Sequence, residues 1–126
     1  MNDLNIKKVI ENLIDTFIEA GNVSLELREK GLIKKIKSDN TPVSNGDLEV
    51  NRIVTQKLLK LTPDIPIVSE ETSHNKSDEN LKNFWLVDPI DGTFDYISDL
   101  EEFTINAGLI VNYNAIAGLI YAPAKN

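Results

Sequence analysis

The sequence predicts an α+β fold in which two long helices pack on a mainly antiparallel sheet. Three observations support this prediction. In two segments of the first half, apolar residues recur at three- and four-residue steps, which is the periodicity of amphipathic helices. From Pro63 onward, short apolar runs bounded by turn residues are typical of buried strands. Near the end, two β-rich runs are joined through residues 112–114, which predicts a hairpin.

Composition limits the functions that this chain can have. The 126 residues carry 13 Lys and Arg against 20 Asp and Glu, a net charge of −7, which argues against a partner that is a nucleic-acid polymer. One core, and therefore one domain over 1–126, suits this length. With no cysteine and one histidine, any metal must be bound mainly by oxygen ligands. No apolar run is long enough for a membrane span and the first 21 residues are not signal-like, so we expect a cytoplasmic protein.

The first helix is predicted from one apolar stripe and ends at Gly21 or Asn22. Residues 23–37 are expected to continue as helix, break at Gly31 and leave as a short strand. The stripe consists of Ile6, Ile10, Leu13, Ile14, Phe17 and Ile18.

The second helix is predicted to begin at Asp47, which occupies the position of an N-cap. A turn cluster at 38–42 precedes it. Its expected buried face consists of Leu48, Ile53, Val54, Leu58, Leu59 and Leu61.

Two short strands are predicted at 65–68 and 84–87, and each is followed directly by carboxylates. The polar segment 76–82 between them is expected to be a loop. The hairpin strands are predicted at 103–111 and 115–121.

The segment 88–93, Asp-Pro-Ile-Asp-Gly-Thr, carries the strongest chemical signal. Two carboxylates at a strand end repel each other, and Mg²⁺ with its preference for oxygen ligands would relieve that repulsion, with the Ile90 carbonyl as a further ligand. Gly92 permits close approach of the backbone, and a helix opening at Thr93 would offer amides to a phosphate. An ordinary turn after a buried strand explains the same six residues equally well.

Glu70 and Glu71 follow the other predicted strand. If the two strands are neighbours in one sheet, Glu70 and the two aspartates converge at its carboxyl edge, where open α/β sheets often bind ligands. The alternative for this acidic pair is a solvated loop.

These residues resemble the metal motif of the inositol monophosphatase superfamily, the Mg²⁺-dependent, lithium-sensitive phosphomonoesterases. Within it the chain is most similar to the CysQ-type 3′(2′),5′-bisphosphate nucleotidases. The similarity covers nearly the whole chain, and its motifs lie at 37–44 with Asp47, 66–71, 85–93, 102–106 and 121–124. It implies a layered sugar-phosphatase-like fold.

The resemblance also implies roles for individual residues. Glu70, Asp88 and Asp91, with the carbonyl of Ile90, would hold Mg²⁺, for which Mn²⁺ is a possible substitute. Asp47 and Thr93 would orient the attacking water, with Glu70 also counted among the catalytic residues. The amides of Gly92 and Thr93 would hold the phosphate, and Asp91 is counted with these two residues as binding a small phosphorylated substrate.

Two departures from the subfamily pattern bear on function. Phe94 stands where these relatives usually carry lysine, and Gly46 replaces the usual alanine before Asp47. The chain also ends about half way through the family's length, so we expect an amino-terminal metal-binding domain without its carboxyl-terminal domain.

The sequence therefore predicts hydrolysis of 3′-phosphoadenosine 5′-phosphate to AMP and phosphate. Inositol monophosphatase activity and a catalytically deficient metal-binding fragment that needs a partner half are the alternatives. This chain alone is expected to be weakly active or inactive, and its apolar hairpin predicts self-association or a homodimer. His74 is expected to be a solvated loop residue, and Tyr96 to pack under the site.

Overall fold

A computed structural model describes residues 3–71 and 81–125 of the chain. Within these ranges, two long helices pack on one face of a four-stranded sheet, and a two-stranded sheet and a short helix lie beside them. The predicted α+β architecture is confirmed. Among the described residues, no helix is both long and apolar enough to cross a membrane. His74 and most of the predicted 76–82 loop lie outside the described residues.

Helix α1 spans Asp3–Lys30, so the prediction that it ends at Gly21 or Asn22 is wrong. Gly21 instead allows a close approach between layers, because a Cβ there would lie 2.6 Å from Cε2 of Tyr121. Gly31, with φ of +98°, follows the helix as predicted. The buried face of α1 also differs from the predicted stripe, since Ile14 and Ile18 are both exposed. The side chains that α1 buries in the core are Val9, Leu13, Phe17 and Ala20.

Helix α2, Asn45–Leu61, begins two residues before the predicted start. Ser44 is the N-cap, and Asp47 is the N3 residue of a capping box, which corrects the prediction that Asp47 itself caps the helix. Two short antiparallel strands, β1 (Lys34–Ile36) and β2 (Pro42–Ser44), lead into it.

The buried face of α2 is rotated relative to the prediction. Leu48 and Leu59 are exposed. The face turned to the core consists of Gly46, Asp47, Val50, Asn51, Val54 and Leu58. Polar residues therefore occupy the core-facing side near the start of α2, where a purely hydrophobic pattern places none.

The main sheet has the order β3-β4-β5-β6 among the described strands. Strand β3 (Ile67–Ser69) pairs parallel to β4 (Phe84–Asp91), and the remaining pairs are antiparallel. Helix α3 (Thr93–Ile97) follows β4, so a helix does open at Thr93. Strands β5 (Thr104–Val111) and β6 (Asn114–Tyr121) form the predicted hairpin. Its turn residues Asn112 and Tyr113 both have positive φ, as a tight two-residue hairpin turn of type I′ requires.

The core lies between the helices and one face of this sheet. Trp85 is fully buried, and its indole N–H donates to Oγ1 of Thr62, the C-cap of α2, at 2.9 Å. This bond ties β4 to the carboxyl end of α2. On the opposite face of the sheet, Leu86, Ile116 and Ile120 are exposed.

Candidate metal and phosphate site

An open groove of about 390 Å³ lies where β3 and β4 end. It brings together most of the residues predicted from the sequence. Those that line it are Glu70, Asp88, Ile90, Asp91, Gly92 and Thr93. Phe94 lines the groove as well and is 69% exposed, whereas Asp47 is fully buried.

The two aspartates reach one groove because β4 contains an irregularity. Asp88 pairs with Asn106 and Asp91 pairs with Thr104, so β4 has one more residue than β5 across this stretch. In a regular strand, residues three apart point to opposite faces, and an inserted bulge residue changes that alternation. Strand β4 continues through Asp91, which corrects the prediction that the strand stops before these carboxylates.

Glu70 reaches the groove through the parallel pairing of β3 with β4. Its backbone N–H donates to the carbonyl of Val87 at 3.3 Å, which confirms that the two strands are neighbours. Just before it, the buried Ser69 hydroxyl donates to the side-chain oxygen of buried Asn51 in α2. Sequence reasoning missed this pair. Asn51 lies four residues after Asp47 on α2, about one helical turn, and this spacing is the sequence signal that points to it.

The acidic groups in the groove perturb one another. Burial first, and then the charges of nearby carboxylates, raise the pKa of Asp88 to about 6. In decreasing order of effect, those carboxylates belong to Asp91, Glu70, Glu71 and Asp47. A hard divalent cation would relieve this repulsion, so the donor set suits Mg²⁺. Within residues 3–71 and 81–125, however, no three Asp, Glu or His side chains lie close enough together, as they stand, to hold a metal ion jointly.

Lys37 is a cation in this groove that sequence reasoning did not assign to the site. Its Nζ lies 3.9 Å from Oε1 of Glu71. The pairing partly offsets the negative charge of the groove and links the segment after β1 to the residues after β3.

Asp47 lies behind Thr93 and is held on two sides. Its Oδ2 accepts from the backbone N–H of Ser44 at 2.9 Å and from the Ser44 hydroxyl at 2.6 Å. Its Oδ1 accepts from the Thr93 hydroxyl at 2.8 Å. Because Asp47 is buried and Thr93 lines the groove, the threonine hydroxyl is the group that links the Asp47 carboxylate to the groove.

Gly92 has φ of +89° and directly precedes α3. A Cβ at this position would lie 2.8 Å from the backbone oxygen of Glu102. Glycine is therefore needed here both for the left-handed conformation and for space. The amides of Gly92 and Thr93 lie at the start of α3, beside the carboxylates.

Tyr96 is fully buried beneath the site, which confirms its predicted packing. Its hydroxyl donates to the carbonyl of Ser24 at 2.7 Å. Burial, and then the Asp47 carboxylate, raise the pKa of Tyr96 above its ordinary value, so the hydroxyl keeps its proton. Arg28 stacks on the ring at 5.6 Å and donates to the carbonyl of Leu100 at 2.7 Å.

The layered arrangement of helices on a mixed sheet is that of the sugar-phosphatase-like class of α+β proteins. The chain belongs to the inositol monophosphatase family, which it matches over residues 5–126.

Bisphosphate nucleotidases of the CysQ type are similar to this chain over most of its length. A 3′(2′),5′-bisphosphate nucleotidase CysQ from Buchnera aphidicola is 37% identical over 120 residues, covering 93% of this chain and 45% of the relative. The CysQ of Aggregatibacter actinomycetemcomitans is 34% identical over 117 residues, covering 91% of this chain and 44% of the relative. The chain thus spans less than half of the length of these relatives.

Solved structures share the fold. The extragenic suppressor protein suhB from Bartonella henselae superposes with a TM-score of 0.82 at 23% identity, covering 94% of this chain and 46% of that one. An IMPase/NADP phosphatase complexed with Mg²⁺ and phosphate gives a TM-score of 0.77 at 21% identity, covering 95% of this chain and 44% of that one. At these identities the similarity shows the fold alone.

Proposed function

We propose that this chain provides the amino-terminal, metal-binding part of a Mg²⁺-dependent phosphomonoesterase whose substrate is 3′-phosphoadenosine 5′-phosphate. The observation that carries the proposal is the Thr93–Asp47 hydrogen bond at the wall of a groove lined by carboxylates. The CysQ relatives support the nucleotide substrate, since their name describes a bisphosphate nucleotidase. One of the proteins that share the fold was solved with Mg²⁺ and phosphate, which makes Mg²⁺ the first ion to test.

In this proposal Glu70, Asp88 and Asp91, with the carbonyl of Ile90, hold Mg²⁺ or Mn²⁺. An ion held there would lower the pKa of a bound water and offset charge on the phosphoryl oxygens. The raised pKa of Asp88 supports this assignment, because a carboxylate that resists ionisation beside other carboxylates gains most from a nearby cation.

The chain's own residues then place the water and the phosphate. The Thr93 hydroxyl donates a hydrogen bond to Oδ1 of Asp47, so its oxygen is oriented to accept a hydrogen bond from a water in the groove. Asp47 keeps that orientation because Ser44 saturates its other oxygen. The amides of Gly92 and Thr93 would bind and orient the phosphate for in-line attack, and Asp91, which lines the same groove, is the further substrate-contacting residue.

A second candidate substrate is an inositol monophosphate, and Phe94 favours it. The ring is 69% exposed in the groove, at the position where CysQ-type relatives usually place a lysine. A substrate with two separate phosphates loses one cationic contact there, whereas a monophosphate of a neutral ring does not. A catalytically deficient fragment that needs a partner half is the third candidate.

Phosphate release measured with Mg²⁺ tests the proposed function. We expect poor turnover by this chain alone, and measurable turnover when it is continued with the matching remainder of the Buchnera aphidicola relative. A preference for 3′-phosphoadenosine 5′-phosphate over inositol monophosphate would support the first candidate, and the reverse would support the second. If neither form releases phosphate, the result would support the third candidate, a catalytically deficient fragment. Turnover by the chain alone of ~1–10³ s⁻¹ would contradict the expected dependence on a second half.

The same samples test self-association by size-exclusion chromatography with light scattering. The exposed apolar side chains on the outer face of the β5–β6 hairpin, and the position of β6 at the edge of the sheet among the described strands, predict oligomers of the chain alone. A monomer at all concentrations would contradict this.

Asp88→Asn is expected to weaken Mg²⁺ binding by about tenfold or more, because an amide oxygen carries no formal charge for a hard cation. Isothermal titration calorimetry of the two proteins measures this change. Asp64→Asn is the matched control, since it removes one carboxylate from an exposed turn that does not line the groove. Equal Mg²⁺ affinity of the Asp88 variant and the unmodified chain would remove Asp88 from the ligand set.

A further inference from the structure

Gly46 has no backbone reason to be glycine. It lies in the first turn of α2, is buried, and is not among the residues with positive φ. By helix propensity alone alanine is preferred over glycine. The reason for glycine is space, because a Cβ at Gly46 would lie 2.0 Å from the Tyr96 hydroxyl oxygen and 2.7 Å from the ring atoms Cε2 and Cζ.

The Tyr96 ring is held where it is by contacts on several sides. Its hydroxyl donates to the carbonyl of Ser24 at 2.7 Å, and its ring packs on Phe103 at a centroid distance of 4.9 Å. The Arg28 guanidinium covers both rings, at 5.6 Å from Tyr96 and 5.1 Å from Phe103. The ring is fully buried, so it has no solvent into which to rotate. A methyl group at position 46 would therefore push α2 away from α3 rather than displace the ring.

Gly46 and Tyr96 lie on either side of the hydrogen bond from Thr93 to Asp47, which joins α3 to α2. Gly46 immediately precedes Asp47, and Tyr96 lies one helical turn after Thr93. We propose that Gly46 and Tyr96 are positioning residues: the tyrosine ring seated against the glycine sets the separation of α2 and α3 at which Thr93 donates to Asp47. The catalytic consequence rests on the proposed function, whereas the positioning itself concerns only the folded chain.

The first test needs no enzyme activity. It measures the interaction free energy between the Asp47 and Thr93 side chains from the unfolding equilibria of single and double variants. Asp47→Ala, Thr93→Val and the double variant, unfolded in urea, give the coupling between the two side chains. A hydrogen bond to a carboxylate predicts a coupling of about tenfold in the unfolding equilibrium constant in the otherwise unmodified chain. In a Gly46→Ala background we expect the coupling to fall below about twofold. Gly108→Ala is the matched control background, because its Cβ would have no contact closer than 4.0 Å.

Should Gly46→Ala fail to fold, Tyr96→Leu provides the second background. It removes the ring from the glycine and is also expected to abolish the coupling. Combining Gly46→Ala with Tyr96→Leu places a methyl group in the vacated space, and we expect part of the coupling to return. Coupling that persists at about tenfold in either single-variant background would overturn the proposal. So would the absence of any recovery in the combined variant.

Steady-state kinetics then connect positioning to catalysis. In the form of the protein that shows turnover, Gly46→Ala is expected to lower kcat by about tenfold or more with little change in KM, because it misplaces the Thr93 hydroxyl. A loss of coupling with unchanged kcat would retain the positioning and refute the water-orienting role of Thr93. An unchanged coupling would refute the positioning, whatever the activity.

Discussion

Replacing Thr93 with alanine is expected to lower kcat by ~10²–10⁴-fold, the usual contribution of a positioned acid–base group. Mg²⁺ affinity is expected to change far less, because the threonine hydroxyl is bonded to Asp47 and is not proposed to hold the ion. The measurement is phosphate release at saturating Mg²⁺ and substrate. It is made on the chain continued with the remainder of the Buchnera aphidicola relative, so that turnover is measurable.

Thr55→Ala is the control for this prediction. Thr55 also lies on a helix, but its hydroxyl donates to the carbonyls of Asn51 and Arg52 within α2 and does not line the groove. We expect its kcat to be unchanged. A Thr93→Ala protein with the kcat of the unmodified enzyme would mean that another group orients the water.

Replacing Gly92 with alanine is expected to destabilise the fold by about 2–5 kcal/mol and to abolish measurable turnover. The left-handed conformation costs a residue with a Cβ about 1–2 kcal/mol, and forced contact in a packed region adds about 1–3 kcal/mol. The contact is the Cβ at 2.8 Å from the Glu102 backbone oxygen. Relief of this contact shifts the start of α3, and with it the Thr93 hydroxyl.

Gly31→Ala separates the two contributions. Gly31 has a similar φ of +98°, but a Cβ there would have nothing within 4 Å. Urea unfolding of the two variants should therefore show a smaller loss for Gly31→Ala, close to the conformational cost alone. Equal losses of stability would show that the Glu102 contact contributes nothing.

Local sequence patterns predicted most of the elements correctly. The helical segment that became α1, the break at Gly31 and the β5–β6 hairpin depend on residues near one another in the chain, and all three are present. Strands β3 and β4 also pair with each other, in parallel, as expected for consecutive strands.

The boundaries and faces of the helices were harder to predict, because they depend on what packs against them. The sequence predicts a helix end at Gly21, whereas Gly21 lies inside α1 where Tyr121 approaches. The apolar pattern predicts Leu48 in the core, whereas α2 turns Asp47 and Asn51 inward instead. A polar residue is stable in such a position only when hydrogen-bond partners from elsewhere satisfy it. Those partners, Thr93 and Ser69, are distant in sequence.

The sequence by itself determined which chemical groups the site contains: two aspartates around the Ile90 carbonyl, a Gly-Thr step, and an acidic pair after an earlier strand. Only the tertiary structure decided how they are presented. The bulge in β4 brings Asp88 and Asp91 to one groove, although their spacing in a regular strand would separate them. Likewise, the seating of Tyr96 against Gly46 depends on α1, α2 and α3 meeting at one point, because packing acts between residues that no local pattern connects.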